Sequence, residues 1–273
     1  MTISHVEVGG SRLLVVDEGA GPPIVLLHAG IADHRAWDTM VPPLIAAGYC
    51  VVRYDARGFG ASTTEDVEFS HRADLRAVID ALGIERAALV GNSRGGMTAF
   101  DTAIESPERV VAVVGVGAGL AGFDGGSTPE EAAIEAEYER VDAAGDADVL
   151  TAFEVGIWVD GPGQPAGRAA AAIRDLVYEM NLPLNESGHV AGRASRLDPP
   201  AAERVSELRC PVLVVAGAFD FSGVVATARH LEAEAPDARA LIWPDVAHMI
   251  GMEVPDRLAD AIVEFLEPLD RWV

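Results

Sequence analysis

The sequence predicts an α/β protein in which helices cover both faces of a mostly parallel sheet. Short apolar runs alternate with helical patterns along most of the 273 residues, as is typical of parallel sheets. One run, Ala87 to Val90, leads directly into Gly-x-Ser-x-Gly and then into a helical pattern. Between Gly117 and Cys210 the pattern predicts helices and no strands. We therefore expect a sheet domain of residues 1–121 and 201–273, with residues 122–200 inserted as a helical unit.

The N-terminal part carries the first strands and helices in regular order. Alternating segments on either side of Gly9 and Gly10 predict a β-hairpin. The strand after this hairpin, Ile24 to Leu27, is fully apolar, which predicts burial on both faces, and glycines end the helices that follow it. The expected elements are a strand at 24–27, a helix at 37–47, a strand at 50–54, a helix from 71 to 82 capped by Ser70, and strands at 87–90 and 110–116.

The rest of the chain completes this pattern. No strand is expected between Gly117 and Cys210, and strands resume after it. Pro255 suits the first position of the last helix, where its missing N–H is not needed. The expected elements are helices at 129–144, 147–158 and 168–180, then a strand at 211–216, a helix at 224–234 and a strand at 239–243.

Ser93 is the candidate nucleophile. A serine between a strand and a helix must take a strained backbone conformation, and Gly91 and Gly95 let the two elements approach closely. The turn presents the Ser93 hydroxyl at the carboxyl edge of the sheet, beside helix N–H groups that favour an anion. The alternative is a tight turn without chemistry, which predicts no histidine or acid at later strand ends.

A serine hydroxyl needs a base and an acid that orients this base. His248 follows the last predicted strand, which puts it at the same edge of the sheet as Ser93. Asp220 follows the preceding strand and is the expected partner of His248 Nδ1. Asp124, in the glycine-rich segment after the 110–116 strand, is the alternative acid.

The other six of the seven histidines have simpler explanations. His28 ends a buried strand and is expected to be structural, with its ring hydrogen-bonded locally. His34 follows in a loop, and we expect it to be exposed rather than at the entrance of a pocket. The remaining histidines lie in strand, helix or inserted segments: His5, His71, His189 and His230.

The chain order Ser93, Asp220, His248, with the strand–turn–helix around Ser93, resembles the α/β-hydrolase superfamily. Four further motifs resemble that family along nearly the whole chain. They are His28-Ala29-Gly30 with Trp37 (oxyanion loop), Asp55-x-Arg57-Gly58-x-Gly60-x-Ser62, Gly217-x-x-Asp220 (acid loop) and His248-x4-Glu253-x-Pro255 (histidine loop).

The resemblance implies an oxyanion hole formed by the backbone N–H groups of Gly30 and Arg94. Ala29 and Ile31 depart from the Gly and Pro that the family usually has in this loop. The inserted region resembles the family's helical cap, which supplies the substrate pocket. Candidate pocket residues, each with an equally good explanation as cap core, are Phe123, Phe153, Trp158 and Met180.

The side chain of Arg94 has two possible roles. In the pocket, its guanidinium would select a substrate that carries a carboxylate. In a chain this acidic, however, we expect it to pair with an Asp or Glu at the surface.

The resemblance implies a serine hydrolase, without metal or cofactor, that cleaves a small carboxylic ester or lactone through an acyl-enzyme on Ser93. Dehalogenases and epoxide hydrolases of the superfamily have aspartate at this position. The alternatives are a C–C bond hydrolase, a perhydrolase, or a receptor that binds a small molecule and turns it over slowly.

Composition limits the partners. The formal charge is −23 and all 20 basic residues are arginine, so we expect neither nucleic acid nor an anionic membrane as a partner. The absence of lysine excludes Schiff-base and P-loop chemistry. Cys50 and Cys210 are expected to be buried thiols. The first residues lack an apolar signal-peptide core, so we expect a cytoplasmic protein. The oligomeric state has no sequence signal.

Overall fold

The computed structural model describes residues 1–188 and 190–269, and its centre is an eight-stranded sheet. The strand order is β1-β2-β4-β3-β6-β7-β9-β10, and β5 pairs with β8 in a separate two-stranded sheet. The strands are β1 (Thr2–Val8), β2 (Ser11–Gly19), β3 (Pro23–Leu27), β4 (Cys50–Tyr54), β5 (Glu68–Phe69), β6 (Ala87–Asn92), β7 (Val110–Val116), β8 (Arg193–Ala194), β9 (Val212–Gly217) and β10 (Ala238–Trp243).

The sheet is mostly parallel, as the sequence predicts. Only the pairings of β2 with β1 and with β4 are antiparallel among the eight described strands, and the other five pairings are parallel. Strand β6 lies between β3 and β7 and is buried along its whole length. The carboxyl ends of β6, β7, β9 and β10 therefore meet at one edge, with the end of β6 near its middle.

Helices cover both faces of this sheet. One apolar core packs the sheet against α2, α3 and α7, and a second packs it against α1 and α9. The helices are α1 (Val41–Ala46), α2 (His71–Ala81), α3 (Arg94–Glu105), α4 (Pro129–Ala144), α5 (Ala147–Glu154), α6 (Ala171–Ser187), α7 (Ser222–Glu234), α8 (Ile250–Glu253) and α9 (Pro255–Leu266). None of the helices in the described residues is long and apolar enough to cross a membrane.

Two sequence-based predictions of secondary structure are wrong. The predicted helix at 37–47 is a 3-10 segment, His34–Met40, followed by the short helix α1. Pro42 and Pro43 have no N–H to donate, so α-helical hydrogen bonding cannot run through them. Strand β8 lies in a region where no strand was expected. It has only two residues, both exposed, and therefore has no apolar signature.

Helices α4, α5 and α6 occupy the inserted region between β7 and β9, and its limits at 122 and 200 stay a prediction. Helix α5 continues as a π-helical segment, Val155–Asp160. His189, expected in this insertion, lies outside the described residues. Of the two thiols, both free, Cys210 is buried as predicted and Cys50 is half-buried.

Two contacts join the insertion to the sheet domain near the start of α7 and the end of α8. Glu131 of α4 accepts hydrogen bonds from the backbone N–H and the hydroxyl of Ser222, both at 2.5 Å. The Arg168 guanidinium lies 2.7 Å from the Glu253 carboxylate. The insertion is thus held beside the loops that carry Asp220 and His248.

Candidate active site

Ser93 occupies the turn between β6 and α3 with φ 54° and ψ −117°. It is the only non-glycine residue with positive φ among the described residues. Its N–H donates to Val116 O at 2.9 Å, which fixes the turn to the end of β7. Side chains rarely tolerate this conformation, so the predicted strain at Ser93 is confirmed.

The two flanking glycines are required by close packing. A Cβ on Gly91 would lie 2.3 Å from the backbone of Gly95, and a Cβ on Gly95 would lie 2.3 Å from Leu27 O. Strand β3, strand β6 and helix α3 thus approach each other at a distance that no side chain permits. The prediction that these glycines allow the close approach is confirmed.

His248 and Asp220 form a buried pair. His248 Nδ1 lies 2.7 Å from Asp220 Oδ2, and the two residues are 3% and 6% exposed. Because an ionised carboxylate only accepts hydrogen bonds, Nδ1 carries the proton and Nε2 has its lone pair free. The other oxygen, Asp220 Oδ1, accepts from Phe221 N at 2.8 Å.

Asp124, the alternative acid, lies elsewhere. It is exposed, and its Oδ1 accepts from Gly126 N at 2.9 Å in a local turn. The structure therefore brings Asp220, rather than Asp124, against His248.

The side chain of Asn92, the residue before Ser93, links the Ser93 turn to the backbone of His248. Asn92 Nδ2 donates to Val116 O at 2.8 Å and to His248 O at 3.1 Å. No hydrogen bond between Ser93 Oγ and His248 Nε2 is present among the described residues. Such catalytic bonds are often long without substrate and tighten in the complex. The sequence analysis did not predict this structural role of Asn92, for which the only sequence signal is the position directly before Ser93.

Glu253 makes further contacts that fix the position of the His248 loop. Glu253 Oε1 accepts from Ala247 N at 2.9 Å, and the same carboxylate pairs with Arg168 of the insertion. Burial raises the pKa of Glu253 despite the hydrogen bond from Ala247 and the pairing with Arg168. The sequence motif His248-x4-Glu253 therefore has a structural reason. The role of Arg168 has no local sequence signal.

The expected oxyanion donors lie at the start of α3 and in the loop after β3. Arg94 is the first residue of α3, so its N–H has no acceptor within the helix. Gly30 lies in the loop after β3, where a Cβ would approach Arg94 Nε to 3.9 Å. Their role as a hole for an oxyanion stays a prediction.

His28 fixes this loop, as the sequence predicts. Its Nε2 accepts from Ala56 N at 2.9 Å, and its Nδ1 donates to Ala29 O at 2.7 Å. Burial, aided by the charge of Arg94, lowers the pKa of His28 to about 4. The ring is therefore neutral and structural at pH 7.

Trp158 covers the His248 ring. Their ring centroids are 4.6 Å apart, and the ring centroid of Phe221 lies 4.8 Å from that of Trp158. Trp158 also lines a cavity of about 690 Å³ with Leu120 and Phe123, which we call the Trp158 cavity. An apolar substrate group has room there, and Trp158 is the lining residue whose ring also contacts the His248 ring.

The other candidate pocket residues lie in different places. Phe123 lines the Trp158 cavity and stacks on His230, with ring centroids 4.2 Å apart. Phe153 is not part of that lining and packs near Tyr138 in the insertion. Met180 is buried against the loop after β3, in one cluster with Ala29 and Ile31.

The Arg94 guanidinium is not paired with an acid, so the expected surface ion pair is wrong. Within residues 1–188 and 190–269 no Asp or Glu oxygen lies within 4 Å of it. Its Nη1 donates to His71 Nε2 at 3.4 Å, and its centre lies 4.0 Å over the Phe59 ring. The side chain lies alongside Gly30, where a Cβ would still be 3.9 Å from Arg94 Nε.

His34 is not exposed as expected but half-buried against Asp55. Its Nδ1 lies 2.6 Å from Asp55 Oδ1, and although burial opposes protonation, this carboxylate raises the pKa of His34. With Asp33 these residues are the one described group that could hold a metal ion. Their oxygens already accept hydrogen bonds from Arg35 and Ala61.

The comparisons with known proteins agree with the fold. A family described as alpha/beta hydrolase fold matches residues 22–153. A curated 2-hydroxy-6-oxo-6-phenylhexa-2,4-dienoate hydrolase of Burkholderia cepacia is 35% identical over 126 residues, which are 44% of this chain and 44% of that protein. The chain spans less than half the length of the curated relatives it matches.

Two solved structures are similar over almost the whole chain. The esterase RhEst1 from Rhodococcus sp. ECU1013 has a TM-score of 0.80 at 25% identity and covers 98% of this chain and 100% of its own. Est816, described as an N-acyl homoserine lactone degrading enzyme, has a TM-score of 0.76 at 26% identity, with 96% and 100% covered. The strand order, the matched residues 22–153 and these similar structures show that the chain has the α/β-hydrolase fold.

Proposed function

We propose that this protein is a serine hydrolase that cleaves a small carboxylic ester or lactone through an acyl-enzyme on Ser93. The observation that carries the proposal is the meeting of two features at one sheet edge. One is a serine held at φ 54° before the N-terminus of α3. The other is a buried His248–Asp220 pair. Asn92, the residue before Ser93, donates a hydrogen bond to the backbone carbonyl of His248.

In the first half of the reaction, Ser93 Oγ attacks the substrate carbonyl while its proton passes to His248 Nε2. Asp220 stabilises the imidazolium through the hydrogen bond from Nδ1. The N–H groups of Arg94 and Gly30 receive the developing oxyanion, where each donor contributes about 2.7–4 kcal/mol to the transition state. The imidazolium then returns the proton to the leaving alkoxide, and the acyl group stays on Ser93.

In the second half, His248 takes a proton from water, and the hydroxide attacks the acyl carbonyl. The bond to Ser93 Oγ breaks, Oγ regains the proton from His248, and the carboxylic acid leaves. Water is therefore the only co-reactant. For a lactone, the alcohol and the acid are the two ends of one product.

Hydrolysis of 4-nitrophenyl butyrate by the wild-type protein and by Ser93→Ala tests the proposal. We expect turnover in the wild type and a loss of about 10⁴-fold or more in the variant. Brief incubation and mass spectrometry should show one butyryl group on the wild-type chain and none on Ser93→Ala. Turnover that survives the substitution contradicts the proposal. Near-background turnover in the wild type, together with ligand-induced destabilisation, would favour the receptor alternative.

A second candidate is hydrolysis of a C–C bond next to a ketone. It is supported by the curated relative that is named as a dienoate hydrolase and is 35% identical over the matched residues. The same preparation is offered 2-hydroxy-6-oxo-6-phenylhexa-2,4-dienoate, and loss of the dienoate absorbance is measured. If kcat/KM for this compound exceeds that for every ester, C–C hydrolysis replaces ester hydrolysis as the proposed activity.

A further inference from the structure

Arg94 carries a charge that its surroundings do not neutralise. Among the described residues it takes part in no ion pair, and its buried Nε has no hydrogen-bond partner. The guanidinium remains charged at neutral pH, and burying such a charge without a counter-ion is unfavourable. In a chain with 43 acidic residues, a half-buried arginine without an acidic partner requires an explanation.

The groups around Arg94 are neutral rather than negative. Burial and the charge of Arg94 lower the pKa of His71 to about 3, so this ring is neutral and accepts from Nη1. His28 is neutral as well, and burial raises the pKa of Tyr54, so its phenol keeps its proton. The ring of Phe59 supplies a weak cation–π contact. The surroundings therefore orient the guanidinium without cancelling its charge.

The side chain also lines a cavity. This cavity of about 650 Å³, which we call the Arg94 cavity, lies between the starts of α2 and α3 and the segment that follows β8. Its lining includes Met97 and Leu120, which also line the Trp158 cavity. The two cavities thus adjoin at the first turn of α3, which begins directly after Ser93. The Trp158 cavity is mostly apolar, with Glu131, Glu135 and Glu139 in its lining. The Arg94 cavity also bears Arg72, Arg196, Asp101 and Asp198, and Asp101 is paired with Arg72 rather than with Arg94.

We propose that the Arg94 side chain binds a carboxylate of the substrate, so that the ester or lactone is an anion. This inference rests on the proposed serine hydrolysis and adds the substrate class. A planar guanidinium pairs with a carboxylate through two parallel hydrogen bonds. Since the chain has a formal charge of −23, its overall field repels anions, and a preference for them must come from a local site.

The test compares a neutral ester with esters of similar size that carry a carboxylate. The neutral ester is 4-nitrophenyl butyrate, and the anionic ones are mono-4-nitrophenyl glutarate, with the charge on the acyl side, and 4-carboxyphenyl butyrate, with the charge on the alcohol side. For each anion the specificity ratio is its kcat/KM divided by that of the neutral ester. Ratios are used because Arg94→Met can also disturb the neighbouring oxyanion donor, and that effect lowers kcat/KM for the neutral and the anionic esters alike.

We expect the wild type to prefer one of the two anionic esters by about 10-fold to 100-fold, mainly through a lower KM. Arg94→Met should abolish that preference, and Arg94→Lys should restore part of it. The matched control is Arg239→Gln, which removes an equal charge from an exposed side chain on β10. Its ratios should equal those of the wild type. A wild type without preference for either anion, or a preference that Arg94→Met retains, overturns the inference.

A measurement on the wild type alone remains decisive if Arg94→Met does not fold. Sodium glutarate should inhibit hydrolysis of 4-nitrophenyl butyrate competitively, and sodium chloride at equal ionic strength should not. Equal effects of the two salts overturn the inference about the carboxylate. The proposed serine hydrolysis is tested separately, and it stands if Ser93→Ala loses turnover. Conversely, calorimetric binding of glutarate without hydrolysis of any ester contradicts the proposed function and supports the carboxylate site.

Discussion

His248 Nδ1 donates a hydrogen bond to Asp220 Oδ2 across 2.7 Å, in a position where both side chains are almost completely buried. The two residues come from loops after different strands, β10 and β9. Their contact fixes the tautomer of the imidazole, since the carboxylate can only accept. The free Nε2 is therefore available to the proton of Ser93.

The first prediction concerns the choice of acid. Asp220→Asn should lower kcat for 4-nitrophenyl butyrate by about 10³–10⁴-fold, because an amide can hold the imidazole in the wrong tautomer. Asp124→Asn removes the exposed alternative and should leave kcat within a factor of about 2, as expected for a surface substitution. Steady-state kinetics of both variants at one pH check this. A larger loss in Asp124→Asn than in Asp220→Asn would reverse the assignment.

The second prediction follows from the strain at Ser93. Ser93→Gly and Ser93→Ala both remove the nucleophile, but only glycine relaxes at φ 54° and ψ −117°. The glycine variant should have a free energy of unfolding about 1–3 kcal/mol higher than the alanine variant. Urea unfolding of both measures the difference. Equal stability would mean that the turn stores no strain.

The third prediction concerns the approach of α3 to β3. In Gly95→Ala the new Cβ would lie 2.3 Å from Leu27 O, which is backbone and cannot rotate away. We expect a loss of about 1–3 kcal/mol in unfolding free energy and a fall in activity, since α3 carries the Arg94 N–H. Gly9→Ala is the control because nothing lies within 4 Å of a Cβ there. Similar melting temperatures for the two variants would contradict the prediction.

Much of the sheet and of the candidate site could be predicted because their signals are local. Strands β3, β6, β7 and β9 are short, mostly apolar runs between turn residues, and burial on both faces explains why their pattern is continuous. Ser93 directly follows β6, and Asp220 and His248 lie in the loops that follow β9 and β10. In a parallel sheet, residues in that position meet at one edge.

The rest depends on tertiary packing, which no local pattern encodes. Arg94 was expected to pair with a surface acid, but its guanidinium lies over the Phe59 ring and donates to His71, and both residues are distant from it in sequence. His34 was expected to be exposed, but Asp55, distant in sequence, accepts its hydrogen bonds. For Phe153 and Met180, helix packing within the insertion decides which cavity each side chain faces.

The last prediction is a dependence of stability on pH. Burial lowers the pKa of His28 to about 4, whereas an unfolded chain has the ordinary value of 6.5. Above pH 6.5 the His28 ring is neutral in both the folded and the unfolded state, so its contribution to the free energy of unfolding does not change with pH. Between pH 6.5 and about 4 only the unfolded state takes up the proton, so acid favours unfolding.

From pH 7 to pH 5 this histidine should therefore lower the free energy of unfolding by about 2 kcal/mol, and buried His71 should act in the same direction. Urea unfolding at pH 7, 6 and 5 measures the slope. His28→Gln should reduce the slope whatever its effect on stability at pH 7, because the titrating group is gone. His5→Gln, at an exposed strand position, should keep the slope of the wild type. If His28→Gln keeps that slope as well, the His28 ring is not the buried neutral group that the hydrogen bonds from Ala56 and to Ala29 indicate.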